Sequence, residues 1–250
     1  MLNQMELNQN NYYNDTANKQ FFSVSQYKDF MQCEAMAMAK IAGIYKPKMT
    51  KAMLTGSFVD SYFEGTLEQF KKENPDVFTR KQELKAEFKK ANEIIARIKN
   101  DELFMKFMSG EKQKIMTFEM FGVPWKMKMD SYLEDICITD LKVVANFRNL
   151  PYWRYDLQGA VYQKGVELVT GQQLPFYLAA ATKERIIDLD IFQIPQATLD
   201  MALNEIGQNI EHFADVKAGF VPPSYCGKCD YCKSVKRATI RNYNDLFGGY

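Results

Sequence analysis

The sequence predicts a mixed α/β (α+β) domain in which helices flank a central mixed β-sheet containing an antiparallel meander. Three observations predict it. Residues 23–108 place apolar side chains at helical spacing. Residues 114–144 switch to short alternating runs, broken at Phe121-Gly122-Val123-Pro124 and at Glu134-Asp135. The remainder reads helix, strand, strand, helix. With 250 residues and 46% hydrophobic content the chain can bury one sizeable core, which excludes general disorder.

Residues 1–20 are polar and Asn/Gln-rich and are expected to form a flexible N-terminal arm or a loosely docked extension. Residues 21–250 are expected to form a single domain that ends in a Cys-rich segment, 222–250. Ser23 with Gln26 three residues later offers a reciprocal capping box, so a helix should start there and run through Met31, Ala35 and Met38. A second helix should hold residues 56–70. The charged stretch 79–108, with apolar Leu84, Phe88, Ile95 and Ile98, fits an amphipathic helix. Residues 114–144 then read as a three-stranded meander, 152–172 as a helix, 175–182 and 187–194 as strands, and 196–218 as a long helix.

Lys and Arg total 32 against 31 Asp and Glu, so any grip on nucleic acid must come from a local basic surface. No apolar run approaches the roughly 20 residues of a membrane span, and the first thirty residues lack a signal peptide's apolar stretch. The expectation is a soluble, cytoplasmic protein with no membrane partner. Five cysteines, three of them at 226, 229 and 232, suggest a metal centre in a reducing compartment more than a disulfide framework.

The chemistry concentrates in the meander. Alternation puts Asp140 and Lys142 on one face of their strand, and a short turn after Glu134 can bring Asp130 beside them. Two carboxylates about 4 Å apart repel by roughly 4 kcal/mol at an effective dielectric near 20, so a cation is the natural occupant of such a patch. Mg²⁺ or Mn²⁺ would accept these hard oxygens and keep room for a phosphate oxygen and a water, the layout of phosphodiester hydrolysis. A lone D-x-K also fits a surface ion pair. Glu119 could join the shell or face solvent.

Gly56-Ser-Phe-Val-Asp60, then Asp130, then Asp140-Leu-Lys142, then Gln158-Gly-Ala-Val-Tyr162 follow one another in this order. Together they resemble the signature of the PD-(D/E)xK nuclease superfamily, in particular its RecB-like and exonuclease VIII-like branch. The resemblance covers residues 23–232 and implies a restriction-endonuclease-like core. It further implies that Asp130 and Asp140 bind the catalytic metal, that Lys142 orients water and stabilises charge at the phosphate, and that Gln158 and Tyr162 position DNA or the metal shell; on their own, that last pair fits a routine helix surface. Asp60 stands where the family often has His, and its carboxylate could bind a second ion or pair with a lysine on the helix face. The chain's sole histidine, His212, matches no motif and is expected to be a structural or surface residue.

Cys226, Cys229 and Cys232 are spaced to turn back on one centre, and Cys33 on the first helix is the natural fourth ligand, since Cys137 lies in a strand beside the catalytic face. Three loop thiols with a buried Cys33 is the plainer alternative. Some RecB-like nucleases carry such a clasp, one cysteine before the core and three after it. That resemblance inclines the reading toward a 4Fe-4S cluster, with Zn²⁺ as the alternative.

The expected function is a metal-dependent DNA exonuclease acting on linear duplex ends in phage or prophage recombination. Its single-stranded product would pass to an annealing protein, and a homo-oligomeric ring would supply processivity. Arg148, Trp153 and Arg154, just after the D-x-K strand, are expected to hold phosphate or stack on an end base, or else to form an ordinary surface loop. The competing function is a nuclease-fold protein that binds DNA or a partner without cutting, with the cysteine clasp as its interaction element.

Overall fold

A computed structural model describes residues 5–240, 242 and 243. Its helices are α1 (Asp15–Gln20), α2 (Val24–Gln32), α3 (Glu34–Ile41), α4 (Lys51–Phe63), α5 (Leu67–Glu73), α6 (Ala86–Lys99), α7 (Glu102–Phe107), α8 (Tyr155–Thr170), α9 (Gln196–Ala218) and α10 (Asp230–Val235). The strands are β1 (Lys114–Met120), β2 (Val123–Met129), β3 (Ser131–Leu133), β4 (Cys137–Val144), β5 (Phe176–Thr182) and β6 (Leu189–Gln193). This is the expected mixed α/β architecture. A four-stranded mixed sheet in the order β3-β4-β5-β6 carries the site, and β1-β2 form a separate antiparallel hairpin.

The expected meander is divided between these two sheets. β1 pairs with β2 through Lys114 opposite Met129, and β3 pairs with β4 through Ser131 opposite Thr139. What reads as one strand in sequence therefore changes partner at Asp130. The hairpin turns at Phe121-Gly122, both with positive φ (55° and 73°), the backbone twist that a two-residue loop requires.

β4 and β5 are parallel and joined through α8, so both are covered on both faces. Their alternation sorts two cores. Ile138, Val144, Leu178 and Ala180 pack toward α2, the hairpin, α8 and α9, whereas Leu141, Ala179 and Ala181 pack toward α4, α6 and α7. The run of small side chains at Ala179-Ala180-Ala181, all fully buried, lets helices approach β5 closely from either side.

Several helices are shorter than expected, each for a local reason. Ser23 Oγ caps α2 by accepting from the Gln26 backbone N–H at 3.3 Å, but Gln26 Nε2 donates to the Asn18 carbonyl at 2.8 Å, so the reciprocal half of the box is not made. α2 stops at Cys33, whose extended backbone (φ −172°, ψ 113°) separates it from α3. The helix expected at 56–70 begins at Lys51, capped by Thr50, and breaks where Gly65 takes φ +77°. In the 79–108 stretch, residues 79–85 are not helical, and Asp101 caps a second segment through the Phe104 N–H at 3.0 Å.

The described part of the N-terminal arm, residues 5–20, takes the docked form. Asn14 caps α1, Tyr12 and Ala17 are buried, and Lys126 Nζ donates to the Tyr12 carbonyl and to Asn18 Oδ1. Polar composition left this docking open, because buried Lys126 on β2 recruits the arm through carbonyl and amide oxygens. Residues 1–4 of the arm, and 241 and 244–250 of the Cys-rich segment, lie outside the described residues. Among the described residues, no helix is long and apolar enough to cross a membrane.

Candidate active site and cysteine centre

The change of sheet at Asp130 builds the site. Asp130 immediately precedes Ser131, and its Oδ2 accepts from the Leu141 backbone N–H of β4 at 2.9 Å. Asp140, 2% exposed, is ion-paired to Lys142 on the same strand face and accepts from Gln158 Nε2 of α8 at 2.6 Å through Oδ1. Gln113 Nε2 donates to Asp130 Oδ1 at 3.3 Å. The predicted patch of two acids and a lysine is thus assembled by strand register, with α8 supplying the glutamine.

Burial, and then the charge of Asp140, push the Asp130 carboxyl up to about 7. Burial, followed by the charge of Asp130, raises Asp60 well above the usual carboxylate range. Burial alone would lower the Lys142 ammonium, but Asp140 and Asp130 outweigh it and its pKa is raised. Asp60 on α4 and Glu64, the residue that caps its C-terminus, line a small cavity with Asp130.

The donor set fits a hard divalent cation, since buried oxygen ligands whose mutual repulsion lifts their pKa values are relieved by positive charge. Tyr162, one turn from Gln158 on α8, donates its hydroxyl to the Lys128 carbonyl at 3.0 Å, which braces β2, and lines the same cleft as Gln158.

Two clefts of about 390 and 410 Å³ open beside the site, and Tyr13 and Lys128 line both. The first is also lined by Ser23, Lys28, Lys126 and Gln158. Lys28 stacks its ammonium over Tyr155 at 5.3 Å, as Lys142 does at 5.0 Å. Burial, and then the charge of Lys142, lower Lys28 to about 8. The motif pattern missed Lys28, Glu64 and Gln113. Glu64 was detectable as the residue four after Asp60, whereas Lys28 and Gln113 reach the site only through tertiary packing.

Arg148 and Trp153 are exposed on the 3₁₀ segment Phe147–Trp153. Arg154 is not free to hold phosphate: its guanidinium is committed to Asp156 at 3.0 Å and Glu205 at 2.7 Å. It stands at the start of α8 in the left-handed conformation (φ 51°), which turns its side chain toward those acids. Glu119 is exposed at the turn end of the hairpin, opposite Pro124, and takes no part in the site.

The second centre lies at the other end of α2. Cys33, Cys226, Cys229 and Cys232 bring their sulfur atoms within 4.8 Å of one another, and Cys33 Sγ lies 3.5 Å from Cys232 Sγ. Cys226 Sγ accepts from the N–H groups of Cys229 at 3.3 Å and Lys228 at 3.4 Å, which lower its thiol to about 6. Burial raises Cys232 to about 12. Four such sulfurs fit a bound thiophilic metal, whose charge would favour the thiolate at every one of them. Cys137 stays in β4 against Thr139, away from the cluster. His212, half exposed on α9, meets Glu34 Oε1 through Nε2 at 2.7 Å, while Glu34 Oε2 accepts from the Ser224 N–H at 2.7 Å.

The family model for a PDDEXK-like domain of unknown function matches residues 23–235, which contain both centres. The chain belongs to this PDDEXK-like family. A crystal structure from Eubacterium rectale, described as a "Putative exonuclease", is 45% identical, covers 99% of this chain and 100% of its own, and superposes with a TM-score of 0.96. Another solved structure, SSO0001, is 12% identical over 86% of this chain and 98% of its own, with a TM-score of 0.34, and carries no argument. The comparison with curated proteins finds no match. The matched region holds Asp130, at the junction of β2 and β3, and Asp140-Leu141-Lys142 on β4.

Proposed function

We propose that the protein is a metal-dependent deoxyribonuclease that releases nucleotides from linear duplex ends. The observation that carries this reading is the joint placement of Asp130, Asp140, Lys142 and Gln158 on β4, its neighbouring strand and α8, next to a lysine-lined cleft. Family membership and the 45%-identical relative support it.

A divalent cation held by Asp130 and Asp140, with Asp60 nearby, would polarise a phosphate oxygen and lower the pKa of a bound water. Lys142, ion-paired to Asp140, would place positive charge at the phosphate. Gln158 fixes the orientation of Asp140 through Oδ1. Lys28 and Lys128 would guide the phosphate backbone through the cleft, with Arg148 and Trp153 on the adjoining surface. The single-stranded product would suit an annealing protein in phage or prophage recombination.

The cysteine centre is read as a structural site for one tetrahedral ion, Zn²⁺. With Zn–S near 2.3 Å, a tetrahedron spaces its sulfurs about 3.8 Å apart, matching the 3.5 and 3.8 Å separations of Cys232 from Cys33 and Cys226. A 4Fe-4S cluster ligates its four cysteines through separate irons and would spread them further. The test of the activity is incubation with end-labelled linear and circular duplex in Mg²⁺ or Mn²⁺. Mononucleotide release from linear DNA alone supports the reading, and inertness toward both substrates in either metal overturns it.

A further inference from the structure

Gln113 sits at the entrance to β1 in the left-handed backbone region, φ 54°, which non-glycine residues rarely occupy and which tends to persist where the surroundings enforce it. Its carbonyl accepts from Gln9 Nε2 of the docked arm at 2.8 Å. The side chain is 9% exposed. Its Nε2 donates to Asp130 Oδ1, but among the described residues its buried Oε1 has no hydrogen-bond partner. Exchanging the two amide atoms would press an oxygen against a carboxylate, so the donor must face Asp130. With Asp60, Glu64 and Asp130, the same side chain lines a cavity of about 10 Å³, close to the size of one water.

A strained backbone and an unsatisfied buried acceptor both oppose folding. Both are met at a residue that touches a candidate metal ligand. Leu141 N–H engages one oxygen of Asp130 and Gln113 the other, which locks the carboxylate rotamer while leaving a further lone pair on each oxygen. A water on a divalent cation is a strong donor, and a buried amide oxygen without a partner, on a side chain that shares a cavity with these acids, is suited to receive it.

We propose that Gln113 is a positioning residue of the metal site, holding Asp130 through Nε2 and accepting from a metal-bound water through Oε1. This rests on the metal-dependent nuclease reading above. It predicts that Gln113 sets metal affinity and leaves the chemistry at saturating metal largely intact.

The experiment is calorimetric titration of Mn²⁺ into the metal-stripped full chain, with cleavage assayed across the same Mn²⁺ range. Gln113→Met removes both polar ends at nearly constant length. Gln113→Asn keeps an amide one methylene too short and tolerates the left-handed backbone better than most residues, which guards against a variant that merely fails to fold. Both should raise the half-saturating Mn²⁺ concentration about 10–100-fold, the range typical of outer-shell partners, with cleavage recovering at saturating Mn²⁺. The metal-free melting temperature of Gln113→Asn should stay within a few degrees of wild type. Unchanged Mn²⁺ affinity in a folded variant, beside normal wild-type binding, overturns this proposal alone. A wild-type chain that binds no Mn²⁺ overturns the nuclease reading, and this proposal with it.

Discussion

The two candidate metal centres of this protein are built by opposite strategies. The acid site gathers hard oxygen donors from Asp130 and Asp140, on neighbouring segments of one β-region, plus Asp60 from α4. The cysteine centre gathers soft donors from opposite ends of the chain, with Cys33 between α2 and α3 and the other three around the start of α10. In the first, the fold forces like charges together and holds them ready for a cation. In the second, local N–H···S bonds shape a loop, and a metal would join two distant segments. Chemistry should therefore depend on the first centre and stability on the second.

The largest expected effect separates these roles. Asp140→Asn removes a metal ligand that Gln158 and Lys142 already orient, and should lower cleavage by about a thousandfold or more while leaving duplex binding and melting temperature near wild type. Gel-shift and cleavage assays on one preparation check this. Full activity in the variant would dissolve the distinction.

Cys226→Ser should do the converse. Losing one of four ligands should cost a few kcal/mol of stability, and at about 2–4 °C per kcal/mol for a chain of this size the melting temperature should fall by roughly 5–10 °C. Cleavage at low temperature should persist. Cys137→Ser should retain the full metal content, because Cys137 lies apart from the cluster. Elemental analysis beside thermal melting reads both outcomes, and one zinc per chain with little iron is expected.

A smaller effect concerns pH. In the metal-free protein Asp130 holds its proton up to about 7, against an ordinary 3.8. Between those values the native state binds a proton that the unfolded chain has released, so this residue's contribution to stability falls as pH rises. A divalent cation competes with that proton. Mn²⁺ affinity should therefore climb with pH up to about 7 and flatten above, as titrations at about pH 6, 7 and 8 would show. A flat profile would mean that Asp130 is already ionised throughout.

The smallest effect tests how far the active surface extends. Arg154 is tied to Asp156 and Glu205 in part-exposed pairs, so Arg154→Ala should cost about 1 kcal/mol of stability and leave the salt dependence of DNA binding unchanged. Arg148→Ala, on the exposed segment, should reduce that salt slope by about one unit. The reverse result would place the phosphate contact at the start of α8.

Period and turn chemistry made most elements legible. Residues 196–218 form one helix as their apolar spacing requires, the break at Phe121-Gly122 is the hairpin turn, and alternation correctly puts Asp140 and Lys142 on one face. Those are local properties, fixed by side-chain direction within a strand or helix. Spacing could not show that the strand through Asp130 serves two sheets, because a change of hydrogen-bonding partner leaves the alternation intact. Whether the polar arm docks stayed open for a related reason, since it depends on Lys126, Asn18 and carbonyl oxygens and not on apolar burial alone.

Local pattern thus pointed to Asp140 and Lys142 on one strand face and to the Cys226, Cys229 and Cys232 run, since those stand at spacings their element geometry makes meaningful. That Lys28 lines the cleft while Arg154 is paired with Glu205 was decided only when α8 and α9 packed and brought Glu205 to the guanidinium. Charge neutralisation depends on distances in space. Between residues far apart in the chain, those distances exist only once the tertiary fold has formed.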